Sequence, residues 1–279
     1  VAIGRVGEKW VASPLPRGAG MITTMTKAQG IVRIPSEAEG LEAGRPCRAE
    51  LLVPVEELER ILVTVGSHDN ILDLLADELM GLADPIGLTS SHVGSMGGLT
   101  ALRSGSTHFA GTHLFDPATG DFNFPFLAKH LPGQNIVLVN LAIRHQGLIV
   151  AKGNPKGITG VNDLSREDVL FINRQRGAGT RILLDYHLKT AGIAPDQVRG
   201  YDKEEFTHMA VAVNVLSHTA DCGLGIFTAA KALGLDFLPL ARERYDLAMP
   251  AAMLEDRRMG VLLEMIRSRE FQDKVTALG

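Results

Sequence analysis

The 279-residue chain has little of what marks several large protein classes, and each scarcity excludes something. Only two cysteines occur, Cys47 and Cys222, far apart and outside any CxxC pair. A disulfide framework is therefore not expected, and a reducing cytoplasm is the expected location. No apolar run approaches the ~20 residues that a membrane-spanning helix needs. No basic segment followed by an apolar one marks a signal peptide, so no membrane partner is expected. The net charge of −4 lacks the positive excess that would suit nucleic acid, and none is expected as a partner of this piece.

Catalytic signatures are also missing. There is no GxxxxGK[ST] phosphate loop and no GxGxxG with a following acidic residue. His68, His92, His108 and His113 cluster in sequence without HExxH or another metal spacing. Ser67 and Ser95 lie outside any GxSxG elbow, and Cys222 sits among apolar and glycine residues with no base beside it. No catalytic residue, no metal ligand and no covalently bound cofactor is expected. Whether the full-length protein is an enzyme stays open.

Glycine is plentiful, at 30 residues, and it punctuates short apolar segments in the first fifth of the chain. There, 31–35 and 49–53 read as strands of a small all-β piece. Val55 to Arg60 is short and charged and reads as a linker. The pattern then changes. Ile61-Leu62-Val63-Thr64-Val65-Gly66 reads as a buried strand, and 70–81 carries apolar residues at helical spacing. Strand, turn and helix recur: 86–90 with a helix near 99–103, 107–111, 136–139, 169–172 with a helix to about Leu188, 206–216 before 220–225, and a final helix over 259–268. This alternation predicts a doubly wound α/β architecture with mainly parallel sheets.

Three turns between strand and helix have the chemistry of an anion receptor. They are Gly66-Ser67-His68-Asp69, Gly94-Ser95-Met96-Gly97-Gly98, and Asn173-Arg174-Gln175-Arg176-Gly177-Ala178-Gly179-Thr180-Arg181. The first amides of a helix lack intrahelical partners, and the helix dipole favours negative charge there. Glycine admits close approach, a hydroxyl adds a donor, and arginine adds a charge-assisted fork. One such turn is more simply an N-cap. Three in one α/β chain point to a small-molecule or oxyanion ligand.

These turns, taken in order with Ala110-Gly111-Thr112-His113-Leu114 and Ala220-Asp221-Cys222-Gly223-Leu224-Gly225-Ile226, resemble the type II periplasmic-binding-protein fold. More narrowly, Ile61 to Gly279 resembles the PBP-like domain related to molybdate- and tungstate-binding proteins. The resemblance implies two lobes joined by crossings near Arg144–Leu148 and Ala241–Asp246. It implies that Ser67, Ser95 and Arg174, with Thr180, hold the oxyanion. The candidate ligand-binding residues are Ser67, Ser95, Met96, Gly97, His113, Arg174, Gly179, Thr180 and Asp221.

Residues 1–54 resemble the C-terminal β-domain of MoeA-type molybdopterin molybdotransferases. The likeness rests on Val11–Leu15, Gly18–Met25, Ala28-Gln29-Gly30-Ile31-Val32-Arg33-Ile34-Pro35 and Gly40-Leu41-Glu42-Ala43-Gly44. That family's catalytic body lies N-terminal to this piece, and the chain begins Val1-Ala2-Ile3 without Met, so we expect a fragment of a longer molybdenum-cofactor protein. The expected layout is a small β-barrel-like domain over 1–56 and a PBP-like domain over 57–279. Lobe one would hold about 60–142 plus 247–279, and lobe two about 148–240. The expected ligand is molybdate, tungstate or a molybdopterin-related anion, and a homodimer is left open. The alternatives are a sensory effector domain of a regulator and a solute-binding receptor of an ABC transporter.

Overall fold

A computed structural model describes residues 1–15, 24 and 27–278. Of the segments that resemble MoeA, Gly18–Met25 therefore lies outside the described residues apart from Thr24. The chain packs into two units. The first comprises Val1–Thr112, His130–Val139 and Leu247–Ser268, and the second His113–Lys129, Asn140–Asp246 and Arg269–Gly279.

In the first unit, β1 (Ala2–Val6) and β2 (Lys9–Ser13) form an antiparallel hairpin. Its two-residue turn is possible because Gly7 takes φ +57°. Strands β3 (Gly30–Val32) and β4 (Ala49–Leu51) pair antiparallel. The stretch read as a linker instead carries a short helix, α1 (Val55–Leu58), because Leu58 is apolar and packs into a buried cluster with Ile3, Ile61 and Val63. Next come β5 (Ile61–Gly66), α2 (Asn70–Met80) and β6 (Gly87–His92), with β5 and β6 parallel from Ile61↔Gly87 to Gly66↔His92. Asp69 caps α2 by accepting from the Ile71 amide at 2.9 Å. The buried face of α2 is Ile71, Leu72, Leu75 and Leu79, the helical spacing visible in sequence.

Helix α3 (Gly94–Ser104) starts five residues before the apolar run at Leu99. The glycine-rich turn is thus the helix's own first turn. Gly98 lies so close to β5 that a Cβ there would sit 2.8 Å from the Val65 carbonyl oxygen, which explains the missing side chain. Strand β7 (Ala110–Thr112) follows.

The second unit contains the hairpin of β8 (Phe115–Asp116) and β9 (Asp121–Phe122), then α4 (Phe124–His130), whose last residue belongs to the first unit. The 15-residue β10 (Ile136–Val150) enters this unit at Asn140. It is followed by β11 (Phe171–Arg174), α5 (Gly179–Ala191), β12 (Glu204–Glu205), α6 (His208–Leu216), β13 (Cys222–Ile226), α7 (Phe227–Ala232) and the 15-residue β14 (Asp236–Pro250), which leaves the unit after Asp246. Helices α8 (Arg257–Arg267) and α9 (Arg269–Leu278) end the described chain.

The strand order in this unit is β12-β11-β13-β10-β14. Strand β11 is parallel to β12 and β13, but β10 runs antiparallel to β13, from Gln146↔Ile226 to Val150↔Cys222. The sheet is therefore mixed rather than mainly parallel. Alternation along the strands fills two cores. Leu148, Phe171 and Leu224 pack with Leu184 and Leu188 of α5, while their neighbours Ile149 and Ile172 pack with Val211 and Val215 of α6. A sheet covered on both faces explains the apolar runs that made these strands legible.

Candidate anion site

Parallel pairing brings the carboxyl ends of β11, β12 and β13 to one edge of the sheet, and α5, α6 and α7 begin there. Arg174 ends β11, Thr180 is the second residue of α5, and His208 is the first residue of α6. From the antiparallel side, Gln146 of β10 stands opposite Ile226 at the same edge, with Arg144 two residues away on the same strand face. Glu243 comes from β14, and His113 from the segment before β8. All seven side chains belong to the second unit.

Glu243 organises one half of this cluster. Its carboxylate accepts from the Arg144 guanidinium, from the Gln146 amide, and from His113 Nδ1 at 3.1 Å. Burial alone would raise the Glu243 pKa. The Arg144 and His113 charges and hydrogen bonds override it and hold the carboxyl well below the usual range. The Arg144 guanidinium also lies 4.7 Å from the centroid of the Tyr245 ring, against which His113 stacks at 6.0 Å.

Arg174 is different. Its Nε donates to Gln175 Oε1 at 3.1 Å and to the Glu205 carbonyl at 3.3 Å, and Nη2 donates to the Phe206 carbonyl at 3.0 Å. These acceptors are all neutral. Among the described residues no carboxylate pairs with Arg174, although its side chain is buried, and Nη1 has no hydrogen-bond partner. Burial, with repulsion from Arg144, lowers its pKa to about 10. Thr180 Oγ1 and His208 Nδ1 are likewise buried without a partner among the described residues. Burial, then Arg174 and Arg144, keeps the His208 imidazole neutral. The cluster thus holds two buried guanidinium groups and one carboxylate, an uncompensated positive charge beside unsatisfied polar atoms. Helix α5 has no side-chain cap at Ala178, so its dipole adds to the positive field.

His113, Arg174, Gly179 and Thr180 come together here. A Cβ on Gly179 would sit 3.0 Å from the His113 ring, so glycine is what lets α5 start so close. The neighbouring arginines do other work. Arg176 is exposed and lies near Asp202 and Glu204, while Arg181 donates to the Arg174 carbonyl and lies 3.9 Å from the Tyr201 ring centroid. Asp221 stands at the opposite ends of the strands, where its carboxylate accepts from the Leu170 amide at 2.8 Å and ties β13 to β11. Cys222 is buried and its thiol pKa is pushed up by burial, which suits a core residue rather than a nucleophile.

The remaining candidates lie in the first unit. Ser67 follows β5 and its amide donates to the Gly111 carbonyl at 2.9 Å. Ser95 is buried in the first turn of α3, Met96 is 40% exposed, and Gly97 packs against Val93. Both serines stand at the carboxyl ends of the parallel β5–β6 pair. Four site residues escaped the sequence reading: Arg144, Gln146, His208 and Glu243. For Arg144, Gln146 and Glu243 the signal was polar residues inside long apolar strands, which a reading by turns overlooks, while His208 opens a helix.

Comparison with known proteins bears on the family and the fold. Residues 76–267 match the PBP superfamily domain, and residues 1–52 match the MoeA C-terminal region (domain IV). YvgK of Bacillus subtilis (strain 168) is 33% identical over 216 residues, covering 77% of this chain and 69% of that protein. Among solved structures, a chain from Clostridium perfringens, described as a phosphate ABC transporter substrate-binding protein and solved with bound phosphate, superposes with a TM-score of 0.57 at 14% identity. That match covers 78% of this chain and 97% of that one. An ABC-type phosphate transport receptor from Vibrio cholerae superposes at 0.54 and 14% identity, covering 78% and 98%. At that identity these two show the fold alone, an α/β fold of type II periplasmic-binding-protein kind with a small N-terminal β region. The chain belongs to the PBP superfamily and carries a MoeA C-terminal region at its start.

Proposed function

We propose that the second unit binds a small oxyanion against Arg174, Thr180 and His208, as the ligand-binding part of a molybdenum-cofactor protein. The observation that carries this reading is Arg174, a buried guanidinium with neutral acceptors only and one N–H group unused among the described residues. An anion placed there would supply the missing counter-charge and accept from Nη1 and the Thr180 hydroxyl. The MoeA-type region at residues 1–52 favours molybdate, tungstate or a molybdopterin-related anion as the ligand.

Thermal unfolding with and without millimolar molybdate, tungstate, phosphate and sulfate tests the reading. A ligand present at one hundred times its Kd stabilises by about 2.7 kcal/mol, a readable rise in Tm. Arg174→Gln is expected to abolish the rise. If no anion shifts wild-type unfolding, the oxyanion reading fails.

A further inference from the structure

We infer that the ligand of this site brings its own hydrogen-bond donor, and that the side-chain oxygen of Gln146 is the acceptor that receives it. The inference rests on the oxyanion reading above and narrows it to anions that keep an O–H or N–H at neutral pH, which retains a molybdopterin-related anion and sets molybdate and tungstate aside.

The argument begins with the orientation of one amide. Gln146 is 0% exposed, and its Nε2 donates to Glu243. Glu243 is paired with Arg144 and His113, so it is a carboxylate with only acceptor oxygens. Turning the amide over would place its oxygen against a carboxylate oxygen. The pairing therefore fixes Nε2 toward Glu243 and leaves Oε1 as the end turned away from it. That oxygen is buried and has no partner among the described residues.

The unsatisfied atoms of Arg174, Gln146, Thr180 and His208 are of two kinds. Arg174 Nη1 can only donate, and Gln146 Oε1 can only accept, while Thr180 Oγ1 and the neutral His208 Nδ1 can adapt. A fully deprotonated tetrahedral anion offers acceptors alone. Sulfate, molybdate or tungstate would satisfy Arg174 and leave Gln146 Oε1 unmet or facing another oxygen. An anion that retains one proton satisfies both ends. Hydrogen phosphate is the smallest probe with this property: it matches sulfate in charge and shape and differs by that proton. Leaving a buried acceptor unmet reduces affinity about ten-fold to one-hundred-fold.

The test is isothermal titration of the whole chain at about pH 7.5 with hydrogen phosphate, sulfate, molybdate and tungstate. Hydrogen phosphate is expected to bind at least about ten-fold tighter than the other three. In Gln146→Met, which keeps the length and removes the acceptor, the ratio is expected to fall towards one. Should that variant not fold, the wild-type ratio decides alone. If sulfate or molybdate binds as tightly as hydrogen phosphate, the role of Gln146 is overturned while the oxyanion site stands. If none of the four binds, and Arg174→Gln unfolds at the same temperature with and without them, both are overturned.

Discussion

His108 couples the first unit to pH, and the size of the coupling can be worked from its contacts. Its side chain is buried, and its Nδ1 accepts from the Val63 amide at 2.8 Å. A backbone N–H cannot accept, so a proton on Nδ1 would face another N–H and break the bond that ties the ring to β5. On the other side stands the Arg258 guanidinium, with Nη2 at 3.2 Å from Nε2. Burial, and then the Arg258 charge, lowers the imidazole pKa from 6.5 to about 4, although Asp256 opposes them. A proton affinity displaced that far is worth roughly 3 kcal/mol. The sign follows from the lowered value. The unfolded chain binds the proton more readily, so this stability is fully present above pH 6.5 and is lost as pH falls towards 4. The perturbation is His108→Asn, whose side-chain oxygen can replace Nδ1 as the acceptor and cannot titrate. Urea unfolding followed by the fluorescence of Trp10, the only tryptophan and part of β2, reads this unit. Wild type is expected to lose up to about 1.4 kcal/mol per pH unit across this window relative to the variant. Taking the difference matters because the His92 pKa is lowered as well, by burial and by His68, and contributes equally to both proteins. Parallel pH profiles for the two proteins would refute the assignment of His108 as the buried neutral group.

Two further outcomes follow from the packing. Glu243→Gln removes the carboxylate that Arg144 pairs with in the buried cluster and is expected to cost about 3–5 kcal/mol in chemical denaturation, because it takes away the counter-charge of a buried guanidinium; a change under about 0.5 kcal/mol would show that the cluster is hydrated. Leu58→Ala is expected to cost about 2–5 kcal/mol in the first unit, since Leu58 is buried against Ile3, Ile61 and Val63; a neutral result would restore α1 to the linker that its charged sequence suggests.

The fold was legible where one physical rule governed a segment. Ile61–Gly66 and Asn70–Met80 show it, since a strand buried on both faces leaves a continuous apolar run and an amphipathic helix leaves a 3.6-residue stripe. Legibility failed where a contact distant in sequence decided the outcome. Val55–Leu58 looks like solvent-exposed chain because Glu56, Glu57, Glu59 and Arg60 are charged, yet the apolar Leu58 finds Ile3 more than fifty positions earlier. The glycines of α3 look like a loop by propensity, yet they are helical, and at position 98 the missing side chain is what lets the helix lie close to the Val65 carbonyl.

The site divides along the same line. Arg174, Gly179 and Thr180 were legible as candidates because one turn holds them all, and the chemistry of helix N-termini is local. Their electrostatic complement was invisible for the opposite reason. Gln146 and Glu243 are 97 positions apart and meet in the folded unit alone. Sequence therefore revealed the proposed anion donors, and not the acceptor proposed to discriminate among anions. Charge draws ligands through local features, whereas specificity is set by how each buried lone pair and proton is matched. That matching is a property of assembled strands, which is why the selectivity proposed for Gln146 lies outside the three turns.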